Sequence, residues 1–320
     1  MRASSFYTAG VLVALLAVLG LAAPASAATA VPSALATKAL LLDVATAGNR
    51  LVAVGEHGHI IYSDNSGENW TQAAAVPSRS TLTSISFIDS RKGFAIGHDA
   101  TILMTQDAGE SWHLKYHEDK GERPLLGFYM DSDGYGIAVG AFSKVLVTTD
   151  GGESWSARPL IEGSEDDFHL NDIFLDARSN VYIAAEFGTI YKSRDRGRTF
   201  SVVPTPYEGS FWSGLGLANG DVLIWGMRGN AYLTRDGGAS WTKAETRTDR
   251  SISGGTQLSD GRIVAVGLAG VVLVSQDGGR SFTTRTRPRR DDYAAVAAGA
   301  AKNEILMFGV PGVETYDLTP

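Results

Sequence analysis

Side chains suited to acid–base or ligand chemistry recur through this sequence in short tracts: Glu56-His57, His98-Asp99, Glu186-Phe187 and Met227-Arg228, with Ala141-Phe142 between them. Glu56, His57, His98, Asp99 and Glu186 together hold enough imidazole and carboxylate donors for a cation, and the same groups serve general acid–base catalysis. Their spacing follows a repeat and not a ligand motif, so no metal or cofactor is expected, and each His reads more simply as a turn residue. The 320 residues include no Cys, which excludes a disulfide, a thiolate metal site and a Cys nucleophile. A glycosidase needs two carboxylates at matched separation, and the sequence singles out no such pair.

The elements that must position these residues are tandem. Six segments follow a Ser/Thr-x-Asp-x-Gly-x-Ser/Thr-aromatic frame: 63–70, 105–112, 148–155, 193–200, 234–241 and 275–282. Their closing aromatics, Trp70, Trp112, Trp155, Phe200, Trp241 and Phe282, are 41 to 45 residues apart. Upstream of each lies a short apolar run such as Leu51-Val52-Ala53-Val54-Gly55 or Ile263-Val264-Ala265-Val266-Gly267. Runs of this length bounded by Gly, Asp and Asn are strands, and four short strands repeated at this period specify a β-propeller. The fold expected is all-β, a single seven-bladed propeller of four-stranded blades. Its seventh blade shows only three strands, near 293–298, 305–308 and 313–318, and a strand near 33–38 is expected to complete it.

Met1-Arg2, an apolar run from Ala9 to Ala23 and Ala25-Ser26-Ala27 read as an export signal over residues 1–27. The run is shorter than the roughly 20 residues of a spanning helix. The mature domain, 28–320, is then expected in the periplasm or a thylakoid-lumen equivalent, as a monomer. A formal charge of −7 argues against nucleic acid.

The frame resembles the Asp-box of the bacterial neuraminidase repeat superfamily. An Asp accepts backbone N–H bonds inside its own turn, Gly takes the positive-φ position, and the aromatic packs between sheets. The boxes are thus fold markers, with Asn65 keeping the acceptor oxygen in the first. An Asp-box glycoside hydrolase, sialidase-like or glucan-cleaving, is the alternative. Sialidases carry a Phe/Tyr-Arg-Ile-Pro motif near the start, and the nearest string here is Gly261-Arg262-Ile263-Val264. The whole chain resembles more closely the photosystem II stability/assembly-factor family, through Val54-Gly55-Glu56-His57-Gly58-His59-Ile60, Val266 to Val272 and the double-Gly boxes at 148–155 and 234–241. That resemblance implies a non-enzymatic exported factor that binds a membrane-protein subunit. In a non-phototroph the role becomes an accessory to another membrane complex, such as an exporter.

In a propeller the turns between second and third strands share one face, opposite the boxes. Glu56, His57, His98, Asp99, Phe142, Glu186, Phe187 and Arg228 fall in those turns and form the expected partner site, a mixed polar and aromatic patch suited to protein recognition. The acidic run Glu162 to Asp167 and the cluster Arg285, Arg287, Arg289 and Arg290 read as solvated surface. Trp212 and Tyr293 read as packing residues.

Overall fold

The computed structural model describes residues 28–119 and 121–319; the expected export signal lies outside them. Among the described residues, 27 strands form seven antiparallel sheets, and helix is limited to five three-residue 3-10 turns. The inner strands are Leu41–Ala47, Leu82–Phe87, Leu125–Met130, Leu170–Leu175, Phe211–Gly216, Ile252–Gln257 and Tyr293–Ala298. Each pairs with the next strand outward in sequence order, so every blade is a local meander. The seven-bladed, all-β expectation holds.

The second strand of each blade reads as a continuous apolar run because it is covered on both faces. Val52 and Val54 pack against blade 2, with Leu82, Ile85, Ala95 and Leu103. Their neighbours Leu51 and Ala53 point the other way, onto Ala295, Leu306 and Phe308 of blade 7. Seven such clusters fill the seven seams of the ring. Area removed from water on both faces of a strand, at roughly 25 cal/mol per Å² of apolar surface, is what sets blade against blade.

The boxes lock the third-to-fourth-strand turns and reach into the seams. In the second box, Thr105 Oγ1 donates to Asp107 Oδ1 (2.8 Å) and accepts from the Gly109 N–H (3.0 Å), while Asp107 accepts from the Ser111 N–H (2.9 Å). Trp112 Nε1 donates to the Gly109 carbonyl at 3.1 Å. Gly109 sits at φ 90°, and a Cβ there would press on Val52 of the preceding blade at 3.2 Å. Asn65 accepts from Ser63 and the Asn69 N–H as an Asp would. Each box aromatic enters the seam with the blade before it: Trp70 against blade 7, Trp112 against blade 1, Trp155 against blade 2. Blade 7 has no box, and Leu318 with Tyr316 takes that place in the last seam.

One expected detail is corrected. The seventh sheet has three strands, Tyr293–Ala298, Glu304–Gly309 and Gly312–Asp317, and residues 33–38 add no fourth. Pro32 lacks an N–H for a ladder, and Ser33 starts a turn instead: its Oγ accepts from the Leu35 N–H, and Ala36–Lys38 closes into a 3-10 turn. Upstream, the Ser33 N–H donates to Gln72 Oε1 on the outer strand of blade 1 and the Ala30 N–H to the Val76 carbonyl in the connection that follows it. The seam between blades 7 and 1 therefore closes by packing, with Ala36 and Leu41 inside it.

Thr105→Val keeps the side chain's shape but removes the hydroxyl, leaving the buried Gly109 N–H without an acceptor. The expected cost is about 2 kcal/mol, read as a lower midpoint in calorimetric unfolding with an unchanged strand signature in circular dichroism.

Candidate partner-binding face

Backbone geometry fixes where the expected residues stand. In six blades the second strand ends in glycine, and a Cβ there would strike the carbonyl just ahead of the inner strand, as at Gly55 against Leu40 and Gly97 against Thr81. The chain then turns, and the second turn residue takes a left-handed conformation: His57 (φ 58°), Asp99 (55°), Phe142 (53°), Phe187 (53°), Arg228 (55°) and Ala269 (56°). That region is unfavourable for side chains with a Cβ, and more so for bulky ones. Six blades nevertheless hold a non-glycine residue there, on one face.

The eight expected residues divide by their contacts. His57, His98, Phe142, Phe187 and Arg228 are exposed at the turn tips. Glu56 and Glu186 are half-buried braces, their carboxylates accepting from the Leu40 and His169 N–H groups, both at 2.9 Å. Asp99 accepts from Ser80 Oγ at 2.7 Å. His57, His98 and Arg228 stand on separate blades, with no contact among them in the described residues. Phe142 and Phe187 are joined by two residues that the repeat period does not mark. His169 meets the Phe142 ring edge-on at 4.6 Å between centroids, and Phe168 lies 5.1 Å from Phe187. Among the described residues no group of three or more His, Asp or Glu is placed to hold a metal ion.

The axis itself is lined by other residues. Every inner strand carries a bulge near its start, and a bulge re-aims side chains. Together they line a cavity of about 260 Å³ with Asp43, Ser84, Asp172, Ser213, Ser253 and Trp212. Trp212, expected to pack, faces this channel; Tyr293 is buried and donates to Glu314. The polar residues stitch several blades to the next. Asp43 accepts from Ser84 Oγ (3.0 Å) and the Ile85 N–H (2.9 Å), Ser213 donates to Asp172 (2.5 Å), and Ser253 donates to the Tyr293 carbonyl (2.7 Å). The third residue of each inner strand shares the interval of the boxes, and that signal could have exposed the channel in the sequence.

Burial pushes the Asp43 carboxyl up to about 6 against the pull of its hydrogen bonds. Asp172 is pushed up to about 7, first by burial and further by the Asp43 charge. A carboxyl raised above its unfolded value near 3.8 adds stability below that value and loses it as pH climbs through the folded one. The box aspartates oppose this at the acid end. Asp195 is held near 2, hydrogen bonds from Thr199 and Ser193 outweighing burial, so its contribution is present above about 4 and is lost as pH falls toward 2. Asp172→Asn removes the charge while Oδ1 still accepts from the Ile173 N–H and the amide donates to Ser213 Oγ. It should raise the unfolding midpoint at pH 8 by roughly 2–5 °C and leave it unchanged at pH 4, in a calorimetric series.

Known proteins share this architecture. A solved structure described as YCF48 bound to D1 peptide superposes with a TM-score of 0.70 and 16% identity, over 88% of this chain and 94% of that one. YCF48 from Cyanidioschyzon merolae gives 0.67 at 16% identity, over 91% and 98%. At that identity the likeness establishes the propeller fold. No curated protein matches the chain. In sequence, the family described as photosynthesis system II assembly factor YCF48 matches residues 120–290, more than half of the chain and four of its seven blades in whole or part. The chain belongs to the photosynthesis system II assembly factor YCF48 family.

Proposed function

We propose that this propeller is a non-enzymatic scaffold that holds a membrane-protein subunit during assembly, gripping it with the face of turn tips. One observation carries the reading: six blades hold a residue with a side chain in a costly left-handed conformation at the same turn, and five of those residues are polar or aromatic. Strain kept in register across a ring serves presentation of those side chains. The family description as an assembly factor and the peptide held by one relative support a protein ligand. Residues 1–27 act in this reading as an export signal, and 28–320 work as a monomeric domain in the periplasm or thylakoid lumen. No helix among the described residues is long and apolar enough to cross a membrane. In a phototroph that partner belongs to photosystem II; elsewhere it belongs to another membrane complex, such as an exporter.

A hydrolase reading draws on one specific feature, the two carboxyls and Trp212 in the axial channel. Asp43 and Asp172 each already accept from the N–H of the next residue on one carboxylate oxygen and from the neighbouring blade's inner strand on the other, and among the described residues no Arg or Lys lines the cavity to hold an acidic sugar. Steady turnover of a fluorogenic sialoside or glucan, lost in Asp172→Asn, would overturn the scaffold reading.

The positive test uses the turn tips. Replacing His98, Phe142 and Arg228 together with Ala should reduce cross-linked capture of the membrane subunit in intact cells by more than about tenfold. All three are exposed, so the unfolding midpoint should stay within roughly 2 °C. Undiminished capture by the folded triple variant rejects this face.

A further inference from the structure

The turn-tip face is uneven, and its apolar contacts gather on blades 3 and 4. Phe187 is 67% exposed and Phe142 42%, both at φ 53°, and Phe168 with His169 fills the space between them. Exposed aromatics massed in this way are uncommon on a surface without a partner, and aromatic rings dominate the energetics of protein recognition. Charged groups also flank the ridge. At its Phe142 end, the Arg123 guanidinium lies 5.9 Å from the ring centre. The nearby Lys144 is neutralised by Glu118 at 2.6 Å. Phe168 itself is the next residue after the exposed acidic run Glu162, Glu165, Asp166 and Asp167.

That acidic run does not stand off in solvent as a separate loop. The Ser143 N–H donates to the Phe168 carbonyl at 2.7 Å, tying the connection to the Phe142 turn. Between them lies a small cavity of about 90 Å³, with Ile161 and Tyr191 in its wall and Asp166 at its edge. The Asp166 charge adds to burial in raising the Tyr191 hydroxyl to about 12. Apolar wall, aromatic ridge and clustered carboxylates are therefore one continuous surface.

We propose that this ridge receives a segment of the partner in which apolar side chains are followed by Lys or Arg. The apolar side chains lie against Phe142, Phe168 and Phe187, and the cation meets the carboxylates near Asp166. The complementary sign follows from the four acidic side chains of the run, which outnumber the single Arg123 cation beside Phe142. This inference rests on the scaffold reading and narrows it to one part of the face and one ligand chemistry.

The test is panning of phage-displayed random peptides on the full mature chain, with the selected peptide measured by fluorescence anisotropy. Enrichment of apolar sequences bearing Lys or Arg is expected. Binding should weaken about tenfold or more in Phe142→Ala/Phe187→Ala, and roughly threefold in Glu165→Gln/Asp166→Asn, with the latter loss shrinking at high salt. Phe187→Gly removes the ring while relaxing the left-handed backbone, so it should bind as poorly as the alanine variant with an unfolding midpoint equal to or above that of the parent. Enrichment of acidic sequences, no enrichment over the double Phe variant, or binding indifferent to the carboxylates overturns the proposal. If cells still show cross-linked capture lost with His98 and Arg228 while panning fails, the scaffold reading stands and this placement falls.

Discussion

Burial of every second strand on both faces is the constraint from which the ring follows. A strand such as Arg50–Gly55 has no polar side to offer water, since Leu51 and Ala53 face one neighbour and Val52 and Val54 the other. An open array would leave one such face bare at each end, so the chain must close on itself. Closure here needs no strand shared between the chain ends. The seam of blades 7 and 1 is filled by Leu306 and Phe308 against Leu41 and Ile61, with Trp70 inserted from its box. The channel adds polar stitches from one inner strand to the next. Apolar seams and axial hydrogen bonds thus act at different radii of the same ring.

Features set by contacts near in sequence are legible in the residues alone. Thr105, Asp107, Gly109 and Trp112 satisfy one another within eight residues, so their pattern survives as a motif and its recurrence counts blades. The number of blades, the strand runs and the position of the boxes are all accessible for that reason. The closing detail is not. Pro32-Ser33 is a turn-starting pair, and the competing hydrogen bonds to Gln72 and Val76 come from the outer strand of blade 1 and the connection that follows it, about forty residues away.

The candidate site is half legible, for a related reason. Turn tips follow the period, so Phe142 and Phe187 can be placed on one face. Phe168 and His169 come from the long connection between blades 3 and 4, which has no counterpart of equal length among the described residues, and periodicity says nothing of them. The channel residues are the reverse case. Asp43, Ser84, Asp172 and Ser213 keep the interval of the boxes, but their side chains vary between neighbouring blades, so they show only when the third residues of the inner strands are aligned. Glu56 and Glu186 look like surface acids in sequence, yet each accepts from a backbone N–H just ahead of an inner strand.

The two faces of the ring consequently do different work. On the box face, each of the six boxed turns is held by its own Asp or Asn, hydroxyl and glycine, and its aromatic is consumed in a seam. Little remains there to vary without loosening a blade. On the other face, the glycine ending the second strand and the braces beneath it hold the turn, while the residue at the tip touches little of the core. His57, Phe142, Phe187 and Arg228 can therefore differ freely in chemistry at nearly the same backbone conformation. A ring built from repeated seams can carry the strain of those tips because no single tip is part of what keeps it closed. Stability and recognition are thereby separated in space, and a new partner requires new side chains at the tips without a new fold beneath them.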